Sequence, residues 1–201
     1  MILLDLPKVW KRLLCLTVIL FIVGIIFVPD ELDYYCGKAK RAIDKGDYST
    51  ALEVGKKSYH TNDELTTLRA YALYKQGKLA DCLFEYPLSG RSASLKMLPA
   101  DDKDRVLCAD LMDKNLDLFA RHLMRYYSVE SEHLPKHYRE ALILLSHLRS
   151  NPIIIYRSNV LEADYVDYQR MEKTAPQPEA RKNVLRNVYG STYWYYYDYG
   201  E

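Results

Sequence analysis

Two segments of this sequence repeat the same pattern at an offset of 31 positions, from residue 39 to residue 70. Residues 39–52 read "AKRAIDKGDYSTAL", and residues 70–83 read "AYALYKQGKLADCL". Each has small or apolar residues at helical spacing, then a glycine, then a large apolar residue two positions later. Glycine allows the positive φ of a tight turn between helices. The repeat therefore predicts helical hairpins in series and an all-α fold.

The matching residues of the two hairpins are of three kinds: a turn glycine, the large apolar residue after it, and a small residue where the helices cross. They are Gly46 and Gly77, Tyr48 and Leu79, and Ala51 and Cys82. The Tyr-x-x-Ala part of the pattern returns at Tyr138 and Ala141 in "HYREALILL". We expect a third hairpin there, with residues 115–127 as its first helix.

The pattern resembles the tetratricopeptide repeat, a helical hairpin of about 34 residues whose copies stack into a solenoid. The resemblance lies in "KGDYSTAL" and "KQGKLADCL", which match the turn and second helix of that repeat. The 31-residue period is shorter than the usual one. Gly55 replaces the usual aromatic residue, and Asp63 replaces the usual closing proline. These departures predict short or loosely packed second helices.

An apolar run without a charge extends over residues 13–28, and acidic residues follow it. Three cations precede it: Lys8, Lys11 and Arg12. With Val9 and Trp10 added, the run predicts a single transmembrane helix. The positive-inside rule then predicts a protein of the cell inner (cytoplasmic) membrane with its N-terminus in the cytoplasm and residues 30–201 outside, periplasmic or extracellular. A cleaved signal peptide is the alternative, but no small-x-small cleavage site follows the run.

Prolines and glycines divide the rest of the chain. Pro87, Gly90 and Pro99 mark a connecting loop. The predicted organisation is an N-terminus and anchor over 1–29, two hairpins over 30–86, the loop over 87–100, and further helical hairpins with an aromatic tail over 101–201.

The tail reads "STYWYYYDY", in a chain with 19 tyrosines. Its aromatic residues are Tyr193, Trp194, Tyr195, Tyr196 and Tyr197. A helical tail places Tyr193, Tyr196 and Tyr197 on one face, whereas an extended tail alternates its side chains. Either geometry predicts a strap that covers the last helices around Leu142, Leu145 and Tyr165, with at least two aromatic side chains buried. A glycan-binding platform would instead leave Trp194 and several tyrosine rings exposed in one line.

The sequence contains no motif that indicates catalysis or a cofactor. Phosphate-binding loops, GxSxG and HExxH are absent. His133 and His137 are four residues apart beside Glu132, but Pro135 between them argues against a helical metal site. Cys82 and Cys108 lie at apolar helix positions and predict small buried side chains. We expect no enzyme activity, no cofactor and no metal, and the net charge of +1 argues against a nucleic-acid partner.

Three stretches resemble a family of bacterial membrane proteins of unknown function: "LPKHYREALILL", "SNP" and "YGSTYWYYYDYG". Members of that family have many N-terminal spans and a tetratricopeptide-like C-terminal region. The likeness covers most of residues 30–201 and implies no catalytic residue. It implies a short member of the family, or a piece that begins at the last span.

Three functions are compatible with these patterns. The first is a membrane-anchored helical-repeat module that presents a surface to a protein or peptide. The second is a glycan-binding accessory that uses exposed tyrosine and tryptophan, and the exposure of Trp194 distinguishes it from the first. The third is an exported appendage of a larger multi-pass membrane enzyme. The charge runs "KRAIDK" and "GKK" predict solvated outer helix faces, with a ligand-reading face as the alternative.

Overall fold

The structure is a computed structural model that describes residues 8–26, 30–128, 134–174 and 177–200. Over these residues the chain is all-helical, with eleven α-helices, two short 3₁₀ helices and no strand. The α-helices are α1 Lys8–Ile26, α2 Glu31–Asp44, α3 Tyr48–Glu53, α4 Asp63–Lys75, α5 Leu79–Cys82, α6 Lys103–Met112, α7 Leu116–Tyr126, α8 Lys136–Leu148, α9 Asn159–Thr174, α10 Pro178–Tyr189 and α11 Tyr193–Tyr199. The 3₁₀ helices are Leu83–Glu85 and Arg91–Leu95.

The first helix corrects the predicted membrane anchor. Among the described residues, helix α1 spans Lys8–Ile26 and has Lys11 and Arg12 in its first turns, so the uncharged part that the structure describes runs from Leu13 to Ile26. That part is roughly 21 Å long, against a hydrocarbon core of about 30 Å. No helix in the described part of the chain is long and apolar enough to cross a membrane. The predicted span, its orientation and the placement of residues 30–201 outside the cytoplasm are therefore wrong.

Three helix pairs are joined by the same turn: α2 with α3, α4 with α5, and α6 with α7. The left-handed residues of the turns are Gly46, Gly77 and Lys114, with φ of +74°, +67° and +58°. In each turn the next residue donates its N–H to the carbonyl five positions earlier, at 2.9 Å. The left-handed residue itself donates to the carbonyl three positions earlier, at 2.9–3.0 Å. These two bonds define the Schellman motif, which satisfies carbonyls at the end of a helix.

The third turn of this kind lies one helix earlier than the sequence pattern suggested. It joins α6 to α7, whereas the sequence predicted α7 as the first helix of the hairpin. A lysine occupies the left-handed position, so no glycine marked the turn. Tyr138 and Ala141 belong to α8, which packs beside α7, and both side chains are buried.

The second helices of the first two hairpins are short, as their sequences indicated. Helix α3 has six residues, and α5 has four before it continues as a 3₁₀ helix. Ala51 is 1% exposed in the first hairpin, and Tyr48 and Leu79 pack against the core. Cys82 was expected to be buried at the second crossing, but it is only half-buried, and Ala80 is the buried small residue of α5.

The connection over residues 87–100 is a packed element as well as a loop. It contains the 3₁₀ helix Arg91–Leu95, which lies against α4 and α6. Leu88, Leu95 and Leu98 are buried in the main core. The segment therefore joins the second and third hairpins into one hydrophobic core.

Helix α8 is the central element of the C-terminal half. It contacts α5, α7, α9 and α11, and every residue from Tyr138 to Leu145 except Arg139 is buried. A helix surrounded on several sides loses its polar face and becomes apolar over most of its surface. The one buried carboxylate of this helix, Glu140, therefore needs an explanation from its contacts.

We expect Ala51→Leu to lower the free energy of unfolding by about 1–3 kcal/mol, because the added atoms must enter a closed crossing between α3 and its neighbours. Ala163→Leu on the exposed face of α9 is the matched control, with an expected change within about 0.5 kcal/mol. Urea unfolding of both variants measures the difference. Equal stability of the two variants would contradict the packing of Ala51 described above.

Candidate functional site

The aromatic tail forms helix α11, so the helical geometry is the one adopted. Tyr193, Trp194 and Tyr196 are buried, and Trp194 is only 1% exposed. Tyr195 and Tyr197 are half-buried, although Tyr197 was expected on the buried face. The helix therefore turns one face into the protein and keeps another at the surface.

A buried carboxylate receives the first turn of α11. Glu140 Oε2 accepts the backbone N–H of Tyr193 at 2.8 Å and lies 2.8 Å from Nδ1 of His137. The indole Nε1 of Trp194 donates to the backbone carbonyl of Glu140, also at 2.8 Å. The positive end of a helix stabilises a negative charge, and α11 presents that end to the carboxylate. Glu140 and His137 are 3% and 0% exposed, so this pair lies entirely inside the protein.

The tyrosine hydroxyls of α11 bind the end of α6. Tyr193 donates its hydroxyl to the carbonyl of Leu111 at 3.1 Å, and Tyr196 donates to that of Met112 at 2.8 Å. Carbonyls in the last turn of a helix lack partners within the helix, so Tyr196 satisfies the carbonyl of Met112. The carbonyl of Leu111 already accepts the N–H of Lys114, and Tyr193 is a second donor to it. Lys114, the left-handed residue of the next turn, donates from Nζ to the carbonyl of Gly200 at 2.7 Å. Helix α11 is thus bound at both ends.

A cluster of rings connects α11 to α9. The centre of the Trp194 ring lies 5.1 Å from that of Tyr165, edge to face. Tyr168 donates its hydroxyl to the Asp198 carboxylate of α11. Burial raises the pKa of Asp198 above its usual value, while the bond from Tyr168 opposes that shift. Leu142 and Leu145, expected beneath the tail, are buried on α8, and α8 contacts α11.

A second carboxylate, that of Asp104, also accepts hydroxyl groups. The Asp104 carboxylate accepts the hydroxyls of Tyr127 and Tyr138 at 2.6 and 3.0 Å. Burial raises the pKa of Cys108, so its thiol stays protonated and is a poor nucleophile. His133 and Glu132 lie outside the described residues. Within the described ranges, no group of three or more potential metal ligands occurs.

A cleft of about 420 Å³ lies between the first two hairpins and the C-terminal helices. One wall is the loop after α3, which includes Lys56, Ser58 and Tyr59; the segment 84–89 also lines the cleft, and α10 and α11 complete it. Its volume is within the range of sites that bind small ligands or short segments of a chain. The cleft is therefore the candidate binding site.

Aromatic rings and cations line the cleft together. Tyr195 and Tyr199 lie on the half-buried face of α11 and stack with ring centres 5.3 Å apart. From α10, the Arg186 guanidinium lies 3.7 Å from the centre of the Tyr59 ring, across the cleft. This cation–π contact connects the two walls.

Behind the cleft lies a buried guanidinium. Arg69 of α4 is 1% exposed and donates to the carbonyls of Val54, Gly55 and Pro87 at 3.3, 3.0 and 3.5 Å. It also lies over the ring of Tyr86. These bonds hold the loop after α3 beside the segment 84–89. Burial lowers the pKa of Arg69 below the usual arginine value.

The sequence pointed to few of these residues. The "GKK" run was interpreted as a solvated outer face, yet its Lys56 lines the cleft. Lys182 and Arg186 are four residues apart on α10, a spacing that places two side chains on one face of a helix. That spacing was the available sequence signal for a shared basic face, but no local pattern indicates which loop lies opposite these two side chains.

We expect Glu140→Ala to reduce the free energy of unfolding by about 2–4 kcal/mol, because Tyr193 N–H and His137 would remain buried without their acceptor. Glu140→Gln should cost less, since its amide oxygen can still accept one of these bonds. Glu179→Ala, at an exposed position of α10, should change stability by no more than about 0.5 kcal/mol. Urea unfolding followed by tryptophan fluorescence measures all three. A Glu140→Ala variant as stable as the control would show that the carboxylate does not hold α11.

We also expect the protein to lose stability in alkali from about pH 10. Burial raises the pKa of Tyr165 and Tyr196 to about 12, above the ordinary tyrosine value of 10.0. Between these values the unfolded chain binds fewer protons than the folded chain, so stability falls as pH rises. Each such tyrosine contributes a slope of up to about 1.4 kcal/mol per pH unit. Tyr165→Phe should reduce the slope measured by urea unfolding across this window; an unchanged slope would contradict the burial of that hydroxyl.

Comparison with known proteins gives one family and no characterised relative. No curated protein and no solved structure matches the chain. Residues 104–200 match the model of a family of unknown function (DUF6057). The matched segment begins in the first turn of α6 and ends directly after α11, so it includes Glu140 and the α10–α11 wall of the cleft but not the loop after α3. The C-terminal part of this chain is thus similar to a family of unknown function.

Proposed function

We propose that this chain is a non-enzymatic helical-repeat module of the tetratricopeptide kind, and that it binds an extended segment of a partner protein. The observation that carries the proposal is the cleft between the first two hairpins and helices α10 and α11. The three Schellman turns support the likeness to a repeat protein, since each joins two helices in the same way. Helical-repeat proteins commonly use the concave surface between elements for binding.

The lining of the cleft suits a peptide. Ser58, Thr61 and Ser89 line the cleft together with tyrosines, so the lining contains both hydroxyl groups and apolar rings. An extended peptide needs both, because its backbone groups require hydrogen-bond partners and its side chains require apolar contacts. A site of this kind also needs fixed walls, and the contacts of Arg69 and of α11 supply them.

A glycan-binding function has less support. The ring of Trp194 is buried against α8, α9 and α10, so it offers no face to a sugar. Tyr195 and Tyr199 stack on each other, which occupies one face of each ring. A continuous line of open aromatic faces, the expected feature of such a platform, is not formed by the described residues of α11.

The buried polar pairs favour a binding protein over an enzyme. Glu140 and His137 lie beneath α11, and Glu140 accepts the first N–H of that helix. A substrate in the cleft would not reach them without displacing α11. Groups in this position orient a helix, so the role of Glu140 and His137 is structural.

The test is a selection of random-sequence peptides against the purified full chain, followed by affinity measurements on two variants. Ser58→Trp fills the cleft, and Ser150→Trp places the same side chain at an exposed position after α8. We expect selected peptides to lose at least about tenfold in affinity, or roughly 1.4 kcal/mol, for Ser58→Trp and to keep their affinity for Ser150→Trp. Melting temperatures of both variants check that they fold. Failure to select any peptide, or equal binding to both variants, would overturn the proposal.

A further inference from the structure

We propose that the cleft selects an acidic peptide segment, whose carboxylate binds Lys182 and Arg186 on α10, with an adjacent apolar side chain against Tyr195 and Tyr199. This inference rests on the proposed function and specifies the chemistry of its ligand. Four observations support this inference: the balance of charge in the cleft, the contacts of the Arg186 guanidinium, the buried charge of Arg69 and the position of the stacked rings.

The charges that line the cleft are mostly positive. Lys56, Lys182 and Arg186 line it, and Glu85 is the one acidic residue among the described lining residues. Lys56 is already paired with Glu53, at 3.0 Å between Nζ and Oε1. Glu85 already pairs with Lys136, at 3.0 Å between Oε1 and Nζ. Neither Lys182 nor Arg186 forms an ion pair with any carboxylate of the described residues. Two cations at i and i+4 repel each other on a helix, and a carboxylate between them would remove that cost.

Arg186 is prepared for a planar anion. Its guanidinium stacks on the ring of Tyr59, which orients the fork of N–H donors. One terminal nitrogen donates to Oδ1 of Asn183 at 2.8 Å, while Nε is shielded from solvent and has no partner. A carboxylate in the cleft can accept two parallel bonds from the two terminal nitrogens, each of which carries two N–H groups.

Arg69 adds a positive charge behind the cleft. Its partners are three backbone carbonyls, and no carboxylate of the described residues compensates its charge. Charges interact more strongly in the protein interior than in water, because the local dielectric constant is lower. One of its acceptors belongs to Pro87, which lines the cleft. The field of Arg69 therefore favours an anion over a cation in the cleft.

The stacked rings specify the neighbour of the acidic group. Tyr195 and Tyr199 line the same cleft as Arg186, and both residues are half-buried. Aromatic side chains bury apolar groups at low conformational cost. An acidic residue beside an aromatic or aliphatic residue fits this pair of surfaces. A nucleic acid fits less well, because it requires a broad basic surface and the net charge of the chain is only +1.

The experiment uses the full chain and the peptides selected from a random-sequence library. The double variant Lys182→Gln with Arg186→Gln should lose at least about tenfold in affinity, and the loss should shrink as salt is raised. The control, Arg170→Gln with Lys173→Gln, removes two cations from the exposed end of α9 and should bind as the unaltered chain does. Peptides that depend on the cleft should be enriched in Asp or Glu next to an apolar residue.

A charge reversal makes the test independent of simple damage to the fold. Lys182→Glu with Arg186→Glu should switch the selection towards basic peptides and retain the melting temperature of the Gln variant. This inference would be overturned if the peptides whose binding is blocked by Ser58→Trp lacked acidic residues, or if the double Gln variant bound them normally. Either result would leave the proposed function intact. The absence of any cleft-dependent peptide would overturn both. The inference would also be overturned if acidic peptides did not bind and single-stranded RNA bound in a way that depends on Lys182 and Arg186.

Discussion

The carboxylate of Glu140 is the interaction on which the C-terminal half depends. It holds the first N–H of α11 and the ring of His137 inside the protein, at 2.8 Å each. Removing a carboxylate from water costs several kcal/mol, and only good geometry with several donors offsets that cost. In return, the hydrogen bonds of the carboxylate fix the direction of α11. An apolar residue could fill the same volume, but it could not fix the position and direction of a seven-residue helix that has little stability of its own.

Once α11 is fixed at its start, its side chains connect three other elements. The hydroxyls of Tyr193 and Tyr196 donate to carbonyls of α6, and Trp194 packs against Tyr165 of α9. Lys114 then binds the far end of the helix. A tail rich in tyrosine suits this role because each ring is apolar while each hydroxyl can reach a backbone carbonyl. A tail of phenylalanine would bury similar area but remove the hydroxyl that donates to the carbonyl of Met112.

Sequence patterns predicted the helical class and the first two hairpins because both depend on local features: glycine at a left-handed turn and apolar residues at helical spacing. The third turn escaped prediction because Lys114 adopts a positive φ, and its bond to Gly200 is a contact between distant parts of the chain. The predicted membrane span failed for a different reason. Length and charge decide such a span together, and the cations of α1 shorten its apolar part. His137 and Glu140, three residues apart on an apolar face of α8, were a visible but unused signal of a buried polar pair.

The cleft could not be predicted, because its walls come from segments that are distant in the sequence. Its aromatic wall results from the helical period of α11. Residues three apart, Tyr193 and Tyr196, lie on the face held by Glu140 and α6. Residues four apart, Tyr195 and Tyr199, lie on the face that lines the cleft. One short helix therefore closes the core and forms part of a binding surface, and the contacts that fix the first face also fix the second. Because α10 packs on α11, the same contacts set the distance between Arg186 and the loop that contains Tyr59. A change beneath α11 should thus alter the cleft without touching any residue that lines it.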